Sequence, residues 1–265
     1  MNIYKHELRV NFKNMIIWII SLGCIVAIFM AFFPMLKADM NNFLKLMDNF
    51  PSYMKAMMGI VVANFATAIG YYTFVFTYSS LFAAIQAMNL GVGIVSKEER
   101  EKTADFLMTK PVSRVKILTA KLLSVLTVLV ITNIFYTLIS LAFVRGMAGG
   151  DFNARNFALI NASLFFTQLI FFSIGLIVSV ASKKIKSVLP ISLGLVFGFF
   201  AISAFAVTAA SDKLRYFTPF QYFKTEYILA NSKYETSFAE IGLIIVIAGL
   251  AASYILFKRR DVHSV

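Results

Sequence analysis

Lys97 to Thr103 reads Lys-Glu-Glu-Arg-Glu-Lys-Thr, six charged side chains in a row within a chain of which only 14% is charged. Both signs at that density suit charge-assisted hydrogen bonds to a complementary polar surface, the short and strong kind. They do not suit acid–base or metal chemistry. His6 and His263 stand near the two ends, and Cys24, the single cysteine, lies in an apolar run. One copy therefore holds neither a cysteine metal site nor a disulfide. No G-x-x-x-x-G-K-[ST] phosphate loop occurs, so the chain does not hydrolyse ATP by that route. The stretch reads as a handle.

Local signals around this stretch predict how it is held. Ser96 and Glu99 have capping-box spacing, which predicts a fresh helix starting at Ser96. Pro111 stops it, because proline disfavours helix in the residue before it and lacks a donor. Between those points Ala104, Leu107 and Met108 fall at i, i+3, i+4, with Glu98, Glu101, Lys102 and Asp105 off that face. Ser113 can cap the next helix. The expectation is a helix of about three turns lying across the ends of two membrane spans. Any single charge in it reads equally well as a solvated helix end. A capped helix with one apolar face is harder to explain that way.

The elements that position this segment are apolar. Of the 265 residues 59% are hydrophobic, mean hydropathy is positive, and uncharged runs of eighteen or more residues recur. That predicts an all-α integral membrane chain, one domain over residues 1–265. Six spans are expected, at about 14–36, 66–95, 117–143, 157–181, 188–210 and 241–257. Lys5, Arg9 and Lys13 at i, i+4, i+8, flanked by Tyr4, Leu8 and Phe12, predict an amphipathic interfacial helix over residues 1–13. The run after it is too long for a signal-peptide core and is read as a retained span.

Between the spans, half of the 12 methionines lie from Met35 to Met58. They form either an adaptable surface for an irregular apolar substrate or an interfacial helix covering its own neighbours. Residues 211–240 form a loop crowded with Tyr216, Phe217, Phe220, Tyr222, Phe223 and Tyr227, suited to the membrane surface. The second span carries Tyr71, Tyr72, Thr73, Phe76, Thr77, Phe82 and Gln86, which either line a path or join helices by hydrogen bonds. Gly91 and Gly93 are read as loosening its inner end. Gly194 and Gly198, one turn apart, are a small-x-x-x-small pair that permits close helix approach.

Charge sets the orientation. Segments 1–13, 96–121, 183–186 and 258–265 carry 16 of the 25 Lys and Arg, and the opposite set carries 9 in longer segments. Positive charge marks the cytoplasm, so both termini and the charged stretch are expected on the cytoplasmic side of the plasma membrane. The net charge of +12 is then a matter of topology rather than of nucleic-acid binding. The six apolar cores are read as free of ionisable side chains, which disfavours an ion-coupled carrier or an intramembrane enzyme.

Taken together, these features resemble the permeases of type-2 ATP-binding-cassette (ABC) exporters. The likeness rests on Glu99-Arg100-Glu101-Lys102-Thr103-Ala104-Asp105-Phe106-Leu107-Met108-Thr109-Lys110-Pro111-Val112-Ser113-Arg114, then Lys121-Leu122-Leu123, with Phe50-Pro51 and Met54, Met57, Met58 and Gly59 in the first external loop. Thr103-Ala104 stands where the family often has a glycine. The resemblance implies a cytoplasmic coupling helix between spans two and three, within 96–114. It also implies two copies of an ABC ATPase subunit holding ATP and Mg, with no cofactor in this chain. A second permease copy, the same chain or a related one, would complete the complex.

Docking would fall to Glu98, Glu99, Arg100, Glu101, Lys102, Asp105, Phe106, Leu107, Pro111 and Arg114, with spans one, two and five moving about a central path. A path without fixed charge favours an amphipathic or hydrophobic cargo: a peptide, a lipid-like compound or a drug. Exporters of the phenol-soluble-modulin type are one branch it is similar to. The competing reading is a membrane-embedded toxin-binding or immunity protein without transport activity.

Overall fold

The computed structural model describes residues 3–51, 54–55, 65–100, 113–148, 152–182, 185–209 and 211–259. Every regular element among them is helical. Six helices are long and apolar enough to cross a membrane: α1 (Ile3–Ala31) continued by α2 (Phe33–Ala38), α4 (Ala68–Arg100), α5 (Arg114–Met147), α6 (Ala154–Ala181), α7 (Val188–Thr208) and α10 (Thr236–Arg259). Short elements join them: α3 (Met40–Asp48), α8 (Asp212–Arg215), a 3-10 turn at Pro219–Gln221, and α9 (Thr225–Asn231). A helix satisfies its own backbone groups, which is why apolar sequence takes this form in hydrocarbon.

Two junctions differ from the sequence reading. Residues 3–13 are helical as expected, but they run without a break into the first span as part of α1. Ser96 does not begin a new helix. The 33-residue α4 continues through it to Arg100, and the buried Ser96 hydroxyl donates to Val92 O at 2.6 Å. A serine can bond back to the carbonyl four residues earlier, and Lys97-Glu98-Glu99-Arg100 are good helix formers, so nothing there forces a stop. At about 1.5 Å per residue α4 is roughly 50 Å long, more than the ~30 Å of hydrocarbon. Ser113 behaves as expected: its Oγ accepts from Lys116 N at 3.3 Å and caps α5.

Helices α4 and α6 form the centre of the bundle. In their most apolar windows 78% of α4 and 61% of α6 are buried, against 17% of α7. Gly91 and Gly175 make this pairing possible. A Cβ on Gly91 would stand 2.5 Å from Phe172 O, and one on Gly175 would stand 2.8 Å from Met88 O. Gly91 is thus a site of backbone contact, not of loosening, since a helix flanked by close packing has no room to bend. Gly93 meets nothing within 4 Å, nor do Gly194 and Gly198.

Helix α1 packs chiefly on α5, α10 on α6, and α7 on α4. The start of α5 bonds to the end of α10 through Arg114 Nη1 and Lys258 O at 3.4 Å, and Lys121 of α5 meets Glu7 of α1. The two ends of the described chain therefore lie at the same face of the bundle.

Candidate functional site: an ion-pair anchor and a cleft at the opposite end

At that shared face, the expected docking residues divide. Glu98, Glu99 and Arg100 form the last turn of α4, and Arg114 opens α5. Glu101, Lys102, Asp105, Phe106, Leu107 and Pro111 lie outside the described residues, as do Lys183 and Lys184. What the structure does place is the anchor beneath them. Lys121 Nζ donates to Glu7 Oε1 at 3.0 Å and to Ile94 O at 3.1 Å. The two side chains are 4% and 12% exposed. One ammonium thus ties α1, α4 and α5 together, at a carbonyl three residues before the charged segment starts at Lys97.

This corrects the reading that no ionisable group lies within the spans: Lys121 sits inside the third one. Its place in a run of apolar residues, and Glu7 as the single acid before Asp39, were the available signals. A desolvated charge needs a partner.

Tyr71, Tyr72 and Gln86 of the second span are occupied in contacts with other helices. The Tyr72 hydroxyl donates to Asn161 Oδ1 at 2.9 Å and lies 3.1 Å from the Tyr136 hydroxyl. Gln86 Nε2 donates to Thr132 Oγ1 at 3.1 Å and its Oε1 accepts from Gln168 Nε2 at 3.1 Å. Asn133 Nδ2 extends the ladder to Gln168 Oε1 at 2.5 Å. Thr73 bonds back to Gly70 O, and the Tyr71 hydroxyl reaches Phe29 O at 3.0 Å. In an apolar medium such bonds join helices. Tyr71, Tyr72 and Gln86 are buried in this role, Thr73 is buried with its bond inside its own helix, and Phe82 is exposed.

Phe76 and Thr77 are placed differently. With Ser80 they form one wall of a cleft of ≈ 400 Å³ at the end of the bundle opposite the anchor. Phe200, Ser203 and Val207 of α7 form the second wall. The third is the aromatic segment after α7, which supplies Arg215, Phe220, Phe223 and Lys224. That segment is tied down rather than merely resting at a surface. Thr218 Oγ1 donates to Phe199 O at 2.9 Å, and Gln221 Nε2 donates to Ser203 Oγ at 2.8 Å.

Buried Arg215 donates through Nε to Gln221 O at 2.9 Å and through Nη2 to Glu235 Oε2 at 2.5 Å. Its guanidinium also lies 3.5 Å from the Phe238 ring centre, a favourable cation–π geometry. Burial pushes the Tyr234 phenol up to about 12, so its hydroxyl keeps its proton and donates to Leu159 O at 2.7 Å.

The cleft also carries charge that the sequence reading assigned to no path. Asp212, Arg215, Lys224 and Glu226 all border it. Burial, followed by the Arg215 guanidinium, holds the Lys224 ammonium below its ordinary value. The aromatic density of residues 211–240 was visible in sequence, but which of its charges turn inward depends on the fold of the loop.

The chain matches the family described as ABC-2 family transporter protein over residues 1–262. With nearly the whole chain covered, and six spanning helices in an all-helical bundle, it belongs to that family. It is a multi-pass membrane protein, the permease component of an ABC transporter rather than its catalytic ATPase, and the family implies an ABC ATPase partner. No curated protein sequence matches it at a significant level.

Proposed function

We propose that this chain is the permease of an ATP-driven exporter that moves an amphipathic or hydrophobic molecule outward across the plasma membrane, powered by two copies of a separate ABC ATPase. The observation that carries the reading is the family match over residues 1–262. In this account residues 96–114 are the cytoplasmic coupling segment and both termini face the cytoplasm, in line with the excess of Lys and Arg on that side. Glu98, Glu99, Arg100, Glu101 and Lys102 supply the polar docking face. Phe106 and Leu107 supply its apolar contact, with Asp105, Pro111 and Arg114 at its edges. The Glu7–Lys121 anchor connects that face to α1, α4 and α5.

Two copies meet through α1 and α7. Both helices support this by their open faces: Ile17, Ile20 and Ile28 on α1 and Leu189, Phe197 and Phe205 on α7 are at least half exposed. Gly194 and Gly198 on α7 leave room for a partner's backbone. The cargo path runs along α4 and α7 and opens outward at the cleft bordered by Phe76 and Thr77. Aromatic walls with hydroxyls between them suit an amphipathic molecule such as a helical peptide, a lipid-like compound or a drug.

Copurification tests the assignment. A tagged chain is expected to retain an ABC ATPase from its own cells, and Glu99→Ala with Glu101→Ala to weaken that association while the permease stays folded. Unchanged ATPase binding and transport in the double variant would remove the docking role.

A further inference from the structure

Of the two cations bordering the cleft, Lys224 is the one not held in an ion pair; Glu226, Asp212 and Glu235 act on it only from beyond ion-pair distance. Arg215, the other, is held by Glu235 and by the Phe238 ring. Lys224 is half-buried, and its side chain makes no hydrogen bond or ion pair with any described residue. Asp212 and Glu226 border the same cleft but are exposed to solvent, where water screens a carboxylate and leaves little pull on a ligand. Away from these charges the walls combine the rings of Phe76, Phe200 and Phe220 with the hydroxyls of Thr77, Ser80 and Ser203.

We infer that the cleft binds a single-chain amphiphile with an anionic headgroup, its carboxylate or phosphate held by Lys224 and its tail lodged among Phe76, Phe200 and Phe220. A partly desolvated ammonium gains most from an anion, because burial weakens water's competition for it. Arg215, neutralised by Glu235, is fixed in place as a wall. Volume sets the tail: ≈ 400 Å³ is at the small end of ligand pockets, which run about 300–1,000 Å³. That space takes one chain and not a two-chain lipid. This inference rests on the permease reading of the cleft and narrows its cargo from amphipathic molecules in general to anionic ones.

The full chain in phosphatidylcholine nanodiscs can be titrated with dansylaminoundecanoate, its neutral methyl ester and the corresponding dansyl-labelled amine, using dansyl emission as the readout and empty discs as the blank. The carboxylate is expected to bind about tenfold more tightly than the ester, the gain of one partly desolvated ion pair. Lys224→Met should remove that difference, Lys224→Arg should keep it, and ester binding should be the same in all three proteins, which also shows that they are folded. Val207→Trp, which fills the hollow, should weaken carboxylate and ester alike.

Equal affinity for carboxylate and ester in the unmodified chain would overturn the headgroup assignment, as would a difference that survives in Lys224→Met. Tightest binding of the amine would give selection to Asp212 and Glu226 instead. Displacement of the carboxylate by phosphatidylglycerol in the disc would assign the site to a two-chain lipid, and no binding of any probe would remove the site altogether. These outcomes are separate from the permease reading, which fails by loss of ATPase association.

Discussion

Lys121 and Glu7 meet at 3.0 Å across the α5–α1 contact, both nearly buried, at the end of the bundle where the charged segment begins. The ammonium also binds Ile94 O of α4, so three helices share one charge. Taking one partner from a buried pair strands the other, at a cost of about 3–5 kcal/mol, whereas removing both is often close to neutral. Glu7→Gln and Lys121→Met should each lower the melting temperature of the purified chain, and the double variant should recover at least half of the loss. Additive losses in thermal melting would show that the pair is not coupled.

Glycine positions give a second contrast. Gly91→Ala places a Cβ 2.5 Å from Phe172 O, a backbone atom that cannot swing aside, and overpacking of this kind costs about 1–3 kcal/mol. Gly194→Ala and Gly198→Ala meet open space and improve helix propensity by up to about 1 kcal/mol each. The first should destabilise the monomer. The other two should leave its melting unchanged or raised and reduce the fraction crosslinked through cysteines on α7. Equal destabilisation at all three positions would contradict the bundle geometry.

For orientation, single cysteines at Lys102 or Lys184 in a Cys24→Ser background should resist an impermeant thiol reagent in intact cells. Cysteines at Asn41 or Lys233 should react. The opposite labelling pattern would invert the proposed topology.

The number, order and approximate limits of the spans were legible because each is a long apolar run, and Ser113 announced the start of α5 by residue type alone. Ser96 misled because the same side chain caps a helix or bonds back within one, and the residues on its C-terminal side decide between the two. Gly91 misled for a related reason: a helical glycine is a weak point or a contact point according to its neighbour, and Phe172 is 81 residues away. For Tyr72 and Gln86 the sequence left path lining and helix joining both open, because it shows polarity but not partners, and their partners stand on α5 and α6. The cleft's charges were hidden by the same limit, since Arg215 and Lys224 turn inward only through the folded loop.

These placements give Gln86 and Phe76 different expected roles on the proposed path along α4. Gln86→Leu removes hydrogen bonds between helices worth about 0.6–2 kcal/mol and should lower thermal stability while leaving the response to cargo intact once folded. Phe76→Ala removes a cleft wall that is also a buried core side chain, so it should lower stability by about 3–5 kcal/mol and, unlike Gln86→Leu, also cost the folded protein its cargo response. A cargo response lost in Gln86→Leu and kept in Phe76→Ala, measured on the same preparations, would put the path along the Gln86 face.

The central claim is that the chain couples a partner's ATP hydrolysis to movement of an amphipathic molecule. Its most direct test is the ATPase rate of vesicles containing this permease and its copurified ATPase, with and without amphipathic helical peptides. Peptide-stimulated hydrolysis is expected, reduced by Phe76→Ala and abolished by Glu99→Ala with Glu101→Ala. Stimulation by sodium or a polar sugar, with none by the peptides, would contradict the account.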